Sequence, residues 1–66
     1  MLFRIDNKKF FSACALMCMT VSEAIRTAGC SSVTQQRIVK GLPLQSVTVG
    51  KLCRALKCEP KDILAE

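Results

Sequence analysis

The sequence contains no histidine, no tryptophan and no tyrosine, and its 66 residues include only three phenylalanines, three glycines and two prolines. Without histidine, the chain lacks the usual general base of enzymes and the commonest metal ligand. It also has no glycine-rich loop for a phosphate and no paired carboxylates beside a nucleophile. We therefore predict that the protein is not an enzyme and that it binds no cofactor and no metal.

Cysteine is present, but in an odd number: Cys14, Cys18, Cys30, Cys53 and Cys58. An odd count excludes a complete internal disulfide framework, and free cysteine behaves as a small buried hydrophobe. We expect reduced thiols in the cytoplasm, with Cys14 and Cys53 filling the core and the other three near helix ends. No pair has the spacing of a zinc knuckle. A redox-sensing role is the alternative for these thiols.

Acidic residues are scarce, at five against ten lysines and arginines, which gives a net charge of +5 and a pI of about 9.2. This balance favours a polyanionic partner, nucleic acid first and an anionic membrane surface second. Lys8 and Lys9 precede a mostly apolar run over residues 10–21, as in a secretory signal peptide. We do not expect export, because cleavage after that run would leave a short chain that begins inside a predicted capped helix. We expect no membrane helix, because the run is shorter than the roughly 18 residues that a membrane span needs.

Apolar residues recur at helical spacing in five segments, each bounded by capping or helix-breaking residues. The predicted helices cover residues 7–18, 21–28, 32–40, 46–57 and 60–65. Leu2 to Ile5 alternates weakly but has no evident strand partner, and Leu42 to Gln45 is interpreted as a loop. The predicted fold class is all-α, a compact five-helix bundle, and the length allows one domain over residues 1–66.

The helix ends carry specific signals. Asp6 is the expected N-cap of the first helix, and Thr20 with Glu23 has the form of a capping box at the second. Gly29 is expected to supply the left-handed turn after the second helix, and Gly41 ends the third. The next caps are assigned to Ser31 and to Ser46 or Gln45, and Pro60 suits the first position of the last helix.

Two apolar stripes run along the first helix. The stripe predicted to face the core consists of Phe10, Ala13, Cys14 and Met17, and the matching face of the fourth helix consists of Val49, Leu52, Cys53 and Leu56. The second stripe is formed by Phe11, Ala15 and Cys18, with Leu16 nearby. It either packs against the N-terminal segment or forms a homodimer surface. Leu42 and Leu44 either join such a surface or pack under their loop.

Residues 20–41 contain two capped helices joined by a tight glycine-containing turn, which is the layout of a helix-turn-helix. The segment Thr20-Val21-Ser22-Glu23-Ala24-Ile25-Arg26-Thr27-Ala28-Gly29-Cys30-Ser31 resembles the first half of a Cro/repressor-type (Xre family) helix-turn-helix. Residues 37–41 resemble the end of its recognition helix, and residues 48–56 and 59–64 resemble its fourth and fifth helices. The resemblance covers residues 6–64 and implies a lambda-repressor-like bundle that binds operator DNA, often as a dimer.

The resemblance also implies a set of DNA contacts, made by Thr20, Val21, Ser31, Ser32, Val33, Gln36, Arg37, Lys40 and Gln45. Arg37 has the fork geometry for a guanine edge, and Val33 suits a thymine methyl. Ser32 and Gln36 are the other expected base contacts. The N-terminus of the second helix, at Thr20 and Val21, is expected to lie on a phosphate through free N–H groups.

Several residues depart from the family pattern. Gln35 stands where a buried Ile or Val is usual. Ala24 stands where the family usually has Leu, and Ile25 stands where it usually has Ala. Cys18 and Lys57 stand where glycine is common.

Two functions remain open. The first is a sequence-specific DNA-binding transcriptional regulator, a repressor of bacterial or phage type, that inserts its third helix into the major groove. The alternative is a helix-turn-helix protein-interaction module without DNA binding, which the apolar loop at residues 42–44 favours. Lys51, Arg54 and Lys57 are interpreted as a solvated face of the fourth helix.

Overall fold

The computed structural model of the chain describes residues 2–65, in which four α-helices and two short strands are found. In chain order the elements are β1 (Leu2–Phe3), α1 (Asn7–Leu16), α2 (Val21–Thr27), α3 (Ser32–Lys40), β2 (Leu44–Gln45), α4 (Ser46–Leu56) and a 3₁₀ turn (Pro60–Asp62). The fold is mostly helical with a small sheet. The prediction of a five-helix, all-α bundle was therefore wrong in both respects.

Side-chain caps define where α1 and α2 begin. The Asp6 carboxylate accepts a hydrogen bond from the Lys9 backbone N–H at 3.1 Å. At α2 the Thr20 hydroxyl accepts from the Glu23 N–H, and the Glu23 carboxylate accepts from the Thr20 N–H, both at 3.1 Å. Each contact satisfies a backbone donor that the first helical turn leaves unpaired. The predicted N-cap and capping box are confirmed.

The helices end where the backbone turns left-handed. Gly29 (φ 76°) and Gly41 (φ 74°) adopt this conformation after α2 and α3, as predicted. Cys18 (φ 56°) and Lys57 (φ 51°) adopt it after α1 and α4 without being glycine. The left-handed turn at Cys18 explains why α1 ends at Leu16 and not at residue 18, because a helix cannot continue through such a residue.

The two strands form an antiparallel pair in which Leu2 lies opposite Gln45 and Phe3 opposite Leu44. The prediction that the N-terminal segment has no partner was wrong, and so was the loop prediction for residues 44–45, whereas residues 42–43 do lie in a loop. The pairing places Leu44 in the core, where 4% of its surface is exposed. Leu44 therefore does not contribute to an exposed dimer surface, whereas Leu42 is 45% exposed.

The end of the chain is tied to its beginning. Pro60 opens a 3₁₀ turn as expected, but the predicted helix over residues 60–65 does not form. The chain instead pairs with residues before α1: the Asp6 N–H donates to the Ile63 carbonyl at 2.8 Å, and Ile5 bridges Leu64. Ile63 is fully buried, so this end of the chain docks on the core.

One core joins the four α-helices and the two strands. The buried residues are Ile5, Phe10, Ala13, Cys14, Ala24, Ile25, Ile38, Leu44, Val49, Leu52, Cys53, Leu56 and Ile63. The face predicted for α4 is confirmed in full, and the core face of α1 is confirmed except that Met17 is half-buried. Phe11, Ala15, Leu16 and Cys18 are exposed, so the alternative that this stripe packs on the N-terminal segment is wrong.

Candidate nucleic-acid interface

A tight turn positions α3 against α2. The left-handed Gly29 reverses the chain after α2, and the Cys30 N–H donates to the Ile25 carbonyl at 3.0 Å, which closes the turn. Ala24 and Ile25 of α2 and Ile38 of α3 are all buried in the shared core. These apolar contacts hold α3 by one face and leave its opposite face toward solvent.

The outward face of α3 carries the predicted base-reading residues. Ser32, Val33, Gln36 and Arg37 are all exposed, and Lys40 in the last turn is exposed as well. Their spacing of three and four residues places them on neighbouring positions of one helical surface. The structure therefore presents these side chains to a ligand together.

Gln35 lies at the boundary of that surface. It is half-buried, at a position where the family usually has a buried Ile or Val. Neither polar atom of the Gln35 side chain is buried without a hydrogen-bond partner. Among residues 2–65, the atom in that situation is Oδ1 of Asn7. The glutamine thus reaches water, and α3 incurs no cost for a buried, unpaired amide.

A cavity of about 420 Å³ is lined by both Arg37 and Gln45, two residues for which the family resemblance implies DNA contacts. The hydroxyl-bearing Thr34 and Thr48 line the same cavity, and both were missed by the sequence analysis. Thr48 stands in the first turn of α4, where backbone N–H groups lack helical partners. That position is the signal that identifies it as a candidate for an anion.

The start of α2 differs from the expectation of free N–H groups at a phosphate. The Thr20 N–H is already bonded to the Glu23 carboxylate, so it is not available to a ligand. The backbone N–H and the hydroxyl of Thr20 lower the pKa of the Glu23 carboxyl below its usual value, so Glu23 is ionised at neutral pH. The capping box therefore places a negative charge at the helix end that was expected to meet a phosphate.

The remaining predicted contacts lie at helix starts and ends. Ser31 occupies the N-cap of α3, but its side chain makes no capping hydrogen bond, which leaves the exposed hydroxyl free. Val21 is half-buried beside the core. Arg37 and Lys40 form no ion pair with a carboxylate of residues 2–65. The ion pair that the structure shows in this part of the chain joins Lys61 to Glu59. The charges of Arg37 and Lys40 are therefore available to a polyanion.

A family model for the Cro/C1-type helix-turn-helix DNA-binding domain matches residues 12–65. The chain belongs to this family. The Cro/C1-type match begins within α1 and includes α2, α3 and the cavity beside Arg37, and it confirms the resemblance that the sequence suggested. Membership makes the protein a DNA-binding regulator in general terms, with DNA as its partner.

No curated protein and no solved structure matches the chain. The helices of this Cro/C1-type protein within residues 2–65 are all too short or too polar to cross a membrane. In the same part of the chain, no three Cys, Asp or Glu residues are arranged to hold a metal ion.

Proposed function

We propose that this Cro/C1-type protein is a sequence-specific transcriptional regulator of the cytoplasm that inserts α3 into the major groove of DNA. The observation that carries the proposal is the division of α3 into two faces. Ile38 anchors one face in the core, whereas Ser32, Val33, Gln36 and Arg37 are exposed on the other. A helix held in this way can enter a groove wide enough to admit it without exposing the core.

The chemistry of the exposed residues suggests their roles. The guanidinium of Arg37 can donate two hydrogen bonds to the O6 and N7 atoms of guanine, and Gln36 can pair with adenine in the same way. Val33 is 57% exposed and offers methyl groups to a thymine methyl. Ser32 can donate or accept at a base edge.

Phosphate contacts would orient α3 in the groove. The exposed Lys40, Ser31 and Gln45 are suited to phosphate oxygens, and Thr48 adds a hydroxyl beside Gln45. At α2, the hydroxyl of Thr20 and the N–H of Val21 are the groups proposed to approach the backbone. The Glu23 carboxylate opposes an anion there, so we expect this contact to contribute less than those around α3.

We further propose that the protein binds DNA as a homodimer through the exposed stripe of α1, formed by Phe11, Ala15 and Cys18. The neighbouring Leu16 is 85% exposed, which is unfavourable for a side chain of this kind in an isolated molecule. A symmetric dimer would read two half-sites about 34 Å, or one helical turn of DNA, apart.

The test is a fluorescence-anisotropy titration, first with random duplex DNA at several salt concentrations and then with an operator selected from a random library. We expect binding that weakens steeply with salt, because phosphate contacts release counterions. Arg37→Ala should weaken operator binding by about 1–3 kcal/mol and relax the base preference at one position.

Arg54→Ala is the matched control, since it removes the same exposed charge at a site on α4 outside the interface. If Arg37→Ala and Arg54→Ala changed operator affinity equally, the assignment of α3 as the recognition helix would be wrong.

The second candidate, a protein-interaction module, is favoured by a different observation. Phe11, Leu16, Val39 and Leu42 are large apolar side chains that are each at least 45% exposed. If the folded protein showed no salt-sensitive binding to any duplex DNA, this second function would replace the first.

A further inference from the structure

A second concave surface lies away from the proposed DNA interface. This surface, which we term the basic groove, has a volume of about 590 Å³ and lies where the ends of α1 and α2 meet the second half of α4. Met17, Met19, Ala28 and Ala55 are its apolar lining residues. None of the nine residues predicted to contact DNA lines it, so a ligand there is compatible with bound DNA.

The rim of the basic groove carries only one sign of charge. Lys51, Arg54 and Lys57 line it, and no carboxylate does. All three side chains are exposed, and none forms an ion pair within the described residues 2–65. The helix dipole favours cations in the last turn of α4, but Lys51 lies more than a turn before the end and gains little from it.

The two surfaces use different parts of α4. Thr48, in its first turn, lines the cavity shared with Arg37, whereas Arg54, six residues later, lines the basic groove. Six residues correspond to about 9 Å along a helix axis. The cations of the basic groove are therefore set back from the cavity beside Arg37.

We propose that the basic groove binds an acidic amphipathic helix of a partner protein. Methionine side chains adapt to varied apolar surfaces, and grooves of this kind take the apolar face of a helix whose residues repeat at three- and four-residue spacing. Flanking Asp and Glu residues on that helix would meet Lys51, Arg54 and Lys57. The groove thus selects for both an apolar stripe and negative charge.

A second copy of this chain does not supply that chemistry. The chain has only five acidic residues, and Glu23 is the one acidic residue within its four α-helices in residues 2–65. Nucleic acid would use the cations but not the methionines, and no aromatic side chain in the groove lining could stack on a base. An acidic helix uses both parts of the surface.

The probe for the test is a fluorescein-labelled synthetic peptide in which leucine repeats at helical spacing and glutamate fills the other positions. The control peptide has the same composition in an order that spreads leucine around the helix. We expect anisotropy to show tighter binding of the amphipathic peptide. Amide chemical-shift changes in the ¹⁵N-labelled protein should cluster at Met17, Met19, Ala28 and Ala55.

Charge-reversal variants show whether peptide binding depends on the cations of the groove or on the general positive charge of the protein. Lys51→Glu with Arg54→Glu should weaken binding of the amphipathic peptide by about tenfold or more. Arg4→Glu with Lys8→Glu is the control, because it makes the same change in net charge at exposed sites outside the groove. Thermal unfolding checks that each variant is folded, and the shift mapping requires no variant.

Four results would overturn the proposal. They are equal binding of the two peptides, equal losses in the two double variants, shift changes outside the basic groove, and displacement of the peptide by duplex DNA. If the wild-type protein formed a dimer, and if Lys51→Glu with Arg54→Glu dissociated it, the groove would be assigned to a second copy instead. If the protein bound phosphatidylglycerol vesicles, and if the same two substitutions abolished that binding, the groove would be assigned to a membrane surface.

Discussion

The five cysteines differ in how far each side chain is buried. Cys14 and Cys53 are 2% and 6% exposed and fill the core, as the sequence predicted, whereas Cys18 is exposed. Burial raises the pKa of the Cys14 thiol, and burial with the neighbouring Cys58 raises the pKa of Cys53 to about 11. A thiol with a raised pKa forms little thiolate at neutral pH, so these two cysteines are poor nucleophiles.

The raised pKa of Cys53 predicts a loss of stability in alkaline solution. The unfolded chain releases the thiol proton near pH 9.0, whereas the folded protein holds it to about pH 11. Between these values the folded state binds more protons, so the free energy of unfolding falls as pH rises. Urea unfolding in reductant at several pH values should show this decline.

Cys53→Ala should make the alkaline decline shallower, because it removes the buried thiol. Cys18→Ala, at an exposed thiol, is the matched control and should keep the wild-type slope. An unchanged slope in Cys53→Ala would show that other groups cause the decline.

Cys18 and Lys57 adopt the left-handed backbone conformation although neither is glycine, the residue type that favours it. The sequence identified both as positions where related proteins have glycine, and both have positive φ. The left-handed conformation costs about 1–2 kcal/mol for a side chain with a Cβ atom. The surrounding helix packing must therefore compensate for this cost at the ends of α1 and α4.

At the scale of elements, the strand pair could not be predicted from the sequence. Each strand has two residues, so there is too little alternation to recognise a pattern. The partners Phe3 and Leu44 are far apart in the chain, and local propensity contains no information about such a pairing. The pairing converts a predicted loop into a support for the start of α4.

The strand pair predicts losses of very different size for two leucines that are two residues apart. Leu44→Ala should lower the free energy of unfolding by about 2–4 kcal/mol, because it leaves a cavity in the core. Leu42→Ala makes the same chemical change at a side chain that is 45% exposed and should cost less than about 0.5 kcal/mol. Chemical denaturation measures both. Similar losses in the two variants would contradict the burial of Leu44 beside the strand pair.

At the scale of the whole molecule, the exposed stripe of α1 predicts self-association. Sedimentation equilibrium of the wild-type protein should show a reversible dimer, which Phe11→Lys with Leu16→Lys should dissociate by placing charges in an apolar contact. Val47→Lys is the control, since Val47 is equally apolar and 66% exposed but lies on α4. A wild-type monomer at every concentration would remove α1 from the proposed dimer interface.

The four α-helices, the caps of α1 and α2 at Asp6 and Thr20, the buried face of α4 and the family could all be predicted from the sequence. These features depend on local spacing and on hydrogen bonding within a few residues. The pairing of β1 with β2, the bridge between Ile5 and Leu64 and the partial exposure of Gln35 could be seen only in the folded chain. The tertiary structure also decided that Glu23 occupies the Thr20 N–H and that Thr48 lies beside Arg37. These features depend on which distant segments meet and on what water can still reach after the core has formed.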